Sequence, residues 1–91
     1  MTGRRTPYEI YWEILVFCRA PRSFTGIINR CDLNSKTGQE YIGFLAGKGY
    51  LSEAKEGERT CYVSTPKASG YIETFTLLYQ SLFEKIPGFR L

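Results

Sequence analysis

Arg22–Leu51 reads RSFTGIINRCDLNSKTGQEYIGFLAGKGYL. Ser23 stands where a helix N-cap belongs, and Phe24, Ile27 and Ile28 follow at the spacing of one buried side. That predicts a short helix of about two turns ending near Arg30. Asp32-Leu33-Asn34 is the break, and Leu33, apolar among polar residues, is expected to plug into the core and set the angle between helices. Asn34 then caps a second helix whose inward set is Gly38, Tyr41, Ile42 and Leu45. Gly38 is small at the point where the two helices come closest. Gly47 and Gly49 are the stop signal. Helix, tight turn, helix and a strand start follow one another with almost no spare residues. This is the pattern in which the second helix lies in a groove of DNA.

Upstream, residues 1–5 read as a polar arm carrying Arg4 and Arg5. Thr6-Pro7-Tyr8-Glu9 announces a helix: a Thr N-cap, Pro at the first helical position and Glu to close a capping box. Ile10, Tyr11, Ile14, Leu15, Phe17 and Cys18 share one broad face, with Glu9, Glu13 and Val16 placed opposite. Pro21 ends the helix near Arg19-Ala20.

Downstream, 50–55 and 60–64 read as two strands joined by a hairpin loop, Glu56-Gly57-Glu58-Arg59. Thr65-Pro66 repeats the start signal of Thr6-Pro7 and opens a last helix to about Ile86, with Pro87-Gly88 as its end. Ala68, Ile72, Phe75, Tyr79, Leu82 and Ile86 are spaced 4, 3, 4, 3, 4, a heptad seam that Tyr71, Leu78 and Phe83 widen. The apolar arc is broader than a two-stranded seam needs. Its first part is expected to cover the chain's own core and the rest to meet a second copy. The expected dimer surface is Ile72, Phe75, Leu78, Tyr79, Leu82, Phe83 and Ile86. The fold class is therefore mainly α with a small β-hairpin wing (α+β). One domain spans 1–91: the arm 1–5, a helical and hairpin body 6–65, a dimerisation helix 66–86 and a tail 87–91.

The chain's 91 residues suit one domain with a modest core. Aromatic residues make up 15%, enough to fill it with few side chains. Twelve Lys and Arg against nine Asp and Glu give +3, which permits nucleic-acid binding without demanding it. Cys18, Cys31 and Cys61 form no CxxC pair and are expected to be reduced thiols of an intracellular protein. No run reaches the ~18 apolar residues of a membrane span, and MTGRRT resembles neither a secretory signal nor a myristoylation site. A cytoplasmic, nucleoid-associated location is the expectation. There is no His, so His-based triads and the usual zinc hydrolase sites are absent. Gly43-Phe44-Leu45-Ala46-Gly47-Lys48-Gly49 mimics a phosphate loop, but its spacing is short and it sits at a helix C-terminus, the wrong pole for phosphate. Neither catalysis nor a metal or other cofactor is expected.

With the inward set fixed, the outward face near the start of the second helix of the pair is Ser35, Lys36, Thr37 and Gln39. Lys reaches guanine acceptors or phosphate, Gln reads adenine, and hydroxyls serve either partner. Glu40 is read as a flank residue. Phosphate contacts are expected from Arg22, Ser23 and Arg30, from Lys55 and Arg59 in the hairpin, and from Arg4 and Arg5 as a minor-groove arm.

The whole order resembles the small archaeal winged-helix DNA-binding proteins, the 10a-type chromatin proteins and their single-domain regulator-like relatives. The resemblance runs from Tyr8 to Phe83. It is carried by Tyr8-Glu9-Ile10, Glu13-Ile14-Leu15 and Cys18, then Pro21-Arg22-Ser23, Thr25, Ile27 and Leu33. Gln39-Glu40-Tyr41, Leu45, Lys48-Gly49, Thr65 and Lys67 complete it. It implies a homodimer joined by antiparallel C-terminal helices, binding double-stranded DNA through helix 35–47 as a transcriptional regulator or chromatin-type protein. Two departures stand out. The last helix ends early at Pro87, and the wing mixes acids with bases. The mixed wing keeps an alternative open: a winged-helix module that binds proteins and not DNA.

Overall fold

The computed structural model describes residues 6–83. The elements are α1 (Pro7–Phe17), β1 (Arg22–Ser23), α2 (Phe24–Arg30), α3 (Ser35–Gly47), β2 (Leu51–Glu56), β3 (Arg59–Ser64) and α4 (Pro66–Phe83). Arg4, Arg5 and Ile86 lie outside the described residues, as does the expected helix end at Pro87.

Local signals set the helix starts. Thr6 Oγ1 accepts from the Glu9 N–H and Glu9 Oε1 accepts from the Thr6 N–H, closing the capping box of α1. Ser23 and Asn34 cap α2 and α3 through the N–H groups of Gly26 and Thr37. Each such cap contributes about 1 kcal/mol. The ends of α2 and α3 use one shared device. Leu33 N–H donates to Ile28 O and Asp32 N–H to Asn29 O; Tyr50 N–H donates to Leu45 O and Gly49 N–H to Ala46 O. These are paired Schellman bonds. The pivot residue of each must be left-handed, with φ of 58° at Asp32 and 85° at Gly49. Leu33 is thereby turned against the core, as the sequence implies.

Gly38 is buried, and a β-carbon built on it would strike the Cγ2 of Ile28 and touch the ring of Phe24. The absent side chain is what lets α2 and α3 approach.

The sheet is antiparallel in the order β1-β3-β2. The sequence reading gave two strands; β1 is a third, pairing Arg22 with Tyr62 and Ser23 with Cys61. Two residues carry no alternation to read, and β1 exists because β3 offers its free edge. The hairpin loop is also tighter than expected. Glu56 pairs with Arg59, leaving a two-residue turn in which Gly57 has φ 65°.

Helix α1 is the central element. Its end comes at Phe17 with Cys18 as cap, slightly before Arg19-Ala20. Ile14, Leu15 and Cys18 are fully buried, with Ile27, Leu45, Ala68 and Ile72 around them. Glu13 departs from expectation. Placed on the solvent side by its charge, it is only 2% exposed. The reason is the central place of α1, which packs against α2, α3, β3 and α4. Trp12 Nε1 donates to Thr76 Oγ1 at 2.9 Å, and the Tyr71 hydroxyl donates to Tyr8 O. With α4 in place α1 is covered on nearly every side. At the other end of α4, Ser64 Oγ donates to Leu15 O and Thr65 Oγ1 to Gly49 O, fixing where the helix leaves the sheet.

Cys18, Cys31 and Cys61 are all buried thiols. Burial, then the neighbouring Cys31 thiol, pushes the Cys18 thiol up to about 12, with Arg22 opposing. It serves as a small apolar filler.

Candidate nucleic-acid interface

On α3, Gly38, Ile42 and Leu45 are buried and Tyr41 is half-buried, so the opposite stripe is fixed by helical geometry. Ser35, Lys36, Gln39 and Glu40 are exposed, and Thr37 is half-buried, its N–H held by Asn34 Oδ1. Lys36 and Gln39 are neighbours at i, i+3, and Ser35 and Gln39 at i, i+4, so all three present one surface. Further along that stripe come Gly43 and Gly47, exposed and with nothing near their built β-carbons. The side chains that carry hydrogen-bonding chemistry are thus gathered in the first half of α3, while its second half offers bare backbone.

The flanks differ from one another. Arg22 Nε donates to Phe17 O at 2.9 Å, and its guanidinium lies 4.3 Å from the centre of the Phe17 ring. Arg30, the last residue of α2, sits over the same ring at 5.9 Å. The structure therefore brings together two residues that lie eight positions apart. Ser23 Oγ is engaged as the cap of α2 and is half-buried. In the wing, Lys55 lies opposite Thr60 and Arg59 opposite Glu56, all but Thr60 being exposed. Glu53, Glu56 and Glu58 are exposed on the same hairpin, and Glu56 accepts from the Cys61 thiol. The wing is electrically mixed along its whole length.

The surface along α4 changes character halfway. Ile72 is buried in the chain's own core, Phe75 and Tyr79 are half-buried, and Leu78, Leu82 and Phe83 are 53%, 64% and 56% exposed. Leu77, which the heptad spacing leaves off the seam, is 60% exposed as well. Tyr71, Phe75, Tyr79 and Phe83 form a continuous ladder of ring contacts, with centroids 4.7–5.9 Å apart. No helix among the described residues is long and apolar enough to cross a membrane. Among the same residues no group of His, Cys, Asp and Glu is placed to hold a metal ion.

Comparison with known proteins agrees with this geometry. A family model described as winged helix-turn-helix matches residues 4–79. Sso10a-2, a DNA-binding protein from Sulfolobus solfataricus, superposes with a TM-score of 0.73 at 28% identity, over 88% of this chain and 87% of that one. The transcriptional regulator BldR from the same organism gives 0.68 at 18% identity, over 85% of this chain and 61% of its own length. SSV1 F-93 gives 0.68 at 13% identity, over 91% and 96%. No curated protein sequence matches the chain closely. The architecture is that of DNA-binding, transcription-regulator-like proteins.

Proposed function

Since the chain belongs to the winged helix-turn-helix family, we propose that it binds double-stranded DNA as a homodimer, laying α3 in the major groove. Its role is that of a transcriptional regulator or a small chromatin-type protein. The observation that carries this reading is the polar face of α3: Ser35, Lys36 and Gln39 exposed together while Gly38, Ile42 and Leu45 lock the helix from behind. Lys36 and Gln39 supply the base contacts, and Arg22, Arg30, Lys55 and Arg59 supply phosphate contacts. Ser23 adds its hydroxyl to a phosphate from the start of α2, and Arg4 and Arg5 precede the body as an arm. The DNA-binding character of Sso10a-2, the most similar of the three structures in sequence, supports the same partner.

The dimer half of the proposal rests on α4. Four large apolar side chains of one helix, Leu77, Leu78, Leu82 and Phe83, stand more than half exposed. Such a patch on a single helix is the mark of a partner surface, and the family resemblance supplies a second copy running antiparallel. A gel-shift titration on a duplex tests the groove assignment. The double substitution Lys36→Ala with Gln39→Ala is expected to lower affinity at least tenfold, since each good base contact is worth about 1–3 kcal/mol. The circular dichroism spectrum should stay unchanged. Unaltered affinity removes α3 from the interface. The acidic residues of the wing favour a second reading, in which the wing is a protein-binding edge. Under it the double substitution has no effect and the wild-type chain ignores duplex at low salt.

A further inference from the structure

A shallow groove opens where the end of α1 meets β1 and the end of α2. It is lined by Val16, Phe17, Arg19, Ala20, Arg22 and Arg30. Half of these residues are arginines, and no carboxylate is among them. Arg19 follows directly on the cap of α1, its N–H bonded to Val16 O. Arg22 is held in place by its Nε bond to Phe17 O and by stacking on the Phe17 ring, so its two terminal nitrogens are presented and not sweeping solvent. Arg30 approaches the same ring from α2. All three side chains belong to exposed residues. On the far side of Arg19 a second groove carries Glu73, so the basic face is bounded towards α4.

Gathering three like charges along one groove, two of them over one ring, raises their mutual repulsion, and an acid in the lining is the usual relief. Among the described lining residues no acid supplies that relief. Guanidinium groups with terminal nitrogens free form bidentate bonds to phosphate oxygens, and a guanidinium pinned on a ring loses little freedom in doing so. We propose that the Arg19–Arg22–Arg30 groove is a preformed seat for a backbone phosphodiester of DNA, lying beyond the face of α3. This rests on the DNA-binding reading above and extends it to a residue, Arg19, that the helix-turn-helix pattern does not single out. The seat acts on the sugar-phosphate backbone alone and carries no sequence preference.

The test is a binding titration of the full chain on random and specific duplexes over a series of salt concentrations. Arg19→Ala with Arg30→Ala removes two charges and no hydrogen bond given to the fold. The steepness of log affinity against log salt should fall by about 0.9 for each lost phosphate contact, hence by about 1.8 for a dimer losing its one seated phosphate on each protomer. The loss of affinity should be the same for both duplexes. Arg22→Lys keeps the charge but loses the fork, and should weaken binding several-fold with little change in slope. Wild-type binding whose slope is untouched by the double substitution overturns the seat while leaving the α3 reading standing. Failure of the wild-type chain to bind any duplex overturns both. Stabilisation of the wild-type chain against heat by inorganic phosphate, lost in the double variant and unaccompanied by a change in slope, assigns the groove to free phosphate and overturns the DNA form of the proposal.

Discussion

Single residues show most directly what the sequence makes legible. Gly38 is legible because helical spacing puts it between two apolar neighbours on the inward side, where a glycine has no purpose except closeness; the clash of a built β-carbon with Ile28 is that closeness. Glu13 is not legible, because charge reports a preference for solvent and says nothing of which sides of a helix will be covered. Its burial at 2% exposure follows from the central place of α1, which packs against α2, α3, β3 and α4. Cys18 reads correctly as filler, and its burial has a consequence in pH. A thiol free in the unfolded chain ionises near about 8.5, whereas the folded one is pushed up to about 12. The unfolded chain therefore sheds its proton first. The stability this group contributes is complete below about pH 8.5 and is lost as pH rises towards 12. Tyr71 acts in the same direction: burial first, then Tyr11, Tyr50 and Tyr8, raise its hydroxyl above the ordinary tyrosine value. Urea midpoints should therefore fall between about pH 7 and about pH 10, and Cys18→Ala, less stable at neutral pH, should lose less over that range. A midpoint constant across it would contradict the burial of the Cys18 thiol, since Tyr71 adds its loss only above about pH 10.

Elements became visible in proportion to their length and periodicity. The four helices and the hairpin each have a repeating pattern and a chemical stop, and each lies within a few residues of where those signals put it. Strand β1 has two residues, no period and no propensity to speak of, and is defined by its partner alone. Helix α4 was half legible. Its apolar arc announces two uses, but only the fold shows where one yields to the other: Ala68 and Ile72 are inside, and Leu77, Leu78, Leu82 and Phe83 are out. The seam of half-buried Tyr71 and Phe75 with exposed Leu78 and Leu82 is spaced 4, 3, 4 and reads the same from either end. An antiparallel copy would thus set Leu82 against Tyr71 and Leu78 against Phe75, an alternation of long and broad side chains suited to interdigitation. Leu78→Asp with Leu82→Asp should convert the proposed dimer to a monomer in sedimentation analysis. The helical signal and the thermal transition of the monomer body should survive, because neither residue is in the core. A dimer that persists in this variant places its interface elsewhere.

For the molecule as a whole, the charge balance and the two surfaces must be weighed together. A net charge of +3 and a wing whose Lys55 and Arg59 are interleaved with Glu53, Glu56 and Glu58 make one copy a weak ligand for a polyanion. In the proposed mode one copy would also read few bases, since the outward stripe of α3 runs out of side chains at Gly43. What raises the affinity in the proposed dimer is linkage. Once one half is seated, the second half meets its own stretch of backbone at an effective concentration set by α4, and avidity exceeds the single-site affinity by about 10²–10⁴ without any new contact. The monomeric Leu78→Asp/Leu82→Asp chain keeps every residue proposed to touch DNA. It should nevertheless bind a long duplex at least a hundredfold more weakly than the wild type, with a salt slope about half as steep, because each binding event then releases counterions from one half-site in place of two. Tethering two such monomers through a flexible linker that spans both half-sites should restore most of the affinity and the slope together, and a linker too short to span them should restore neither. If the monomer instead matches the wild type in both affinity and slope, the two recognition helices are not used together. The exposed leucines of α4 then serve some purpose other than bringing a second copy to the same DNA.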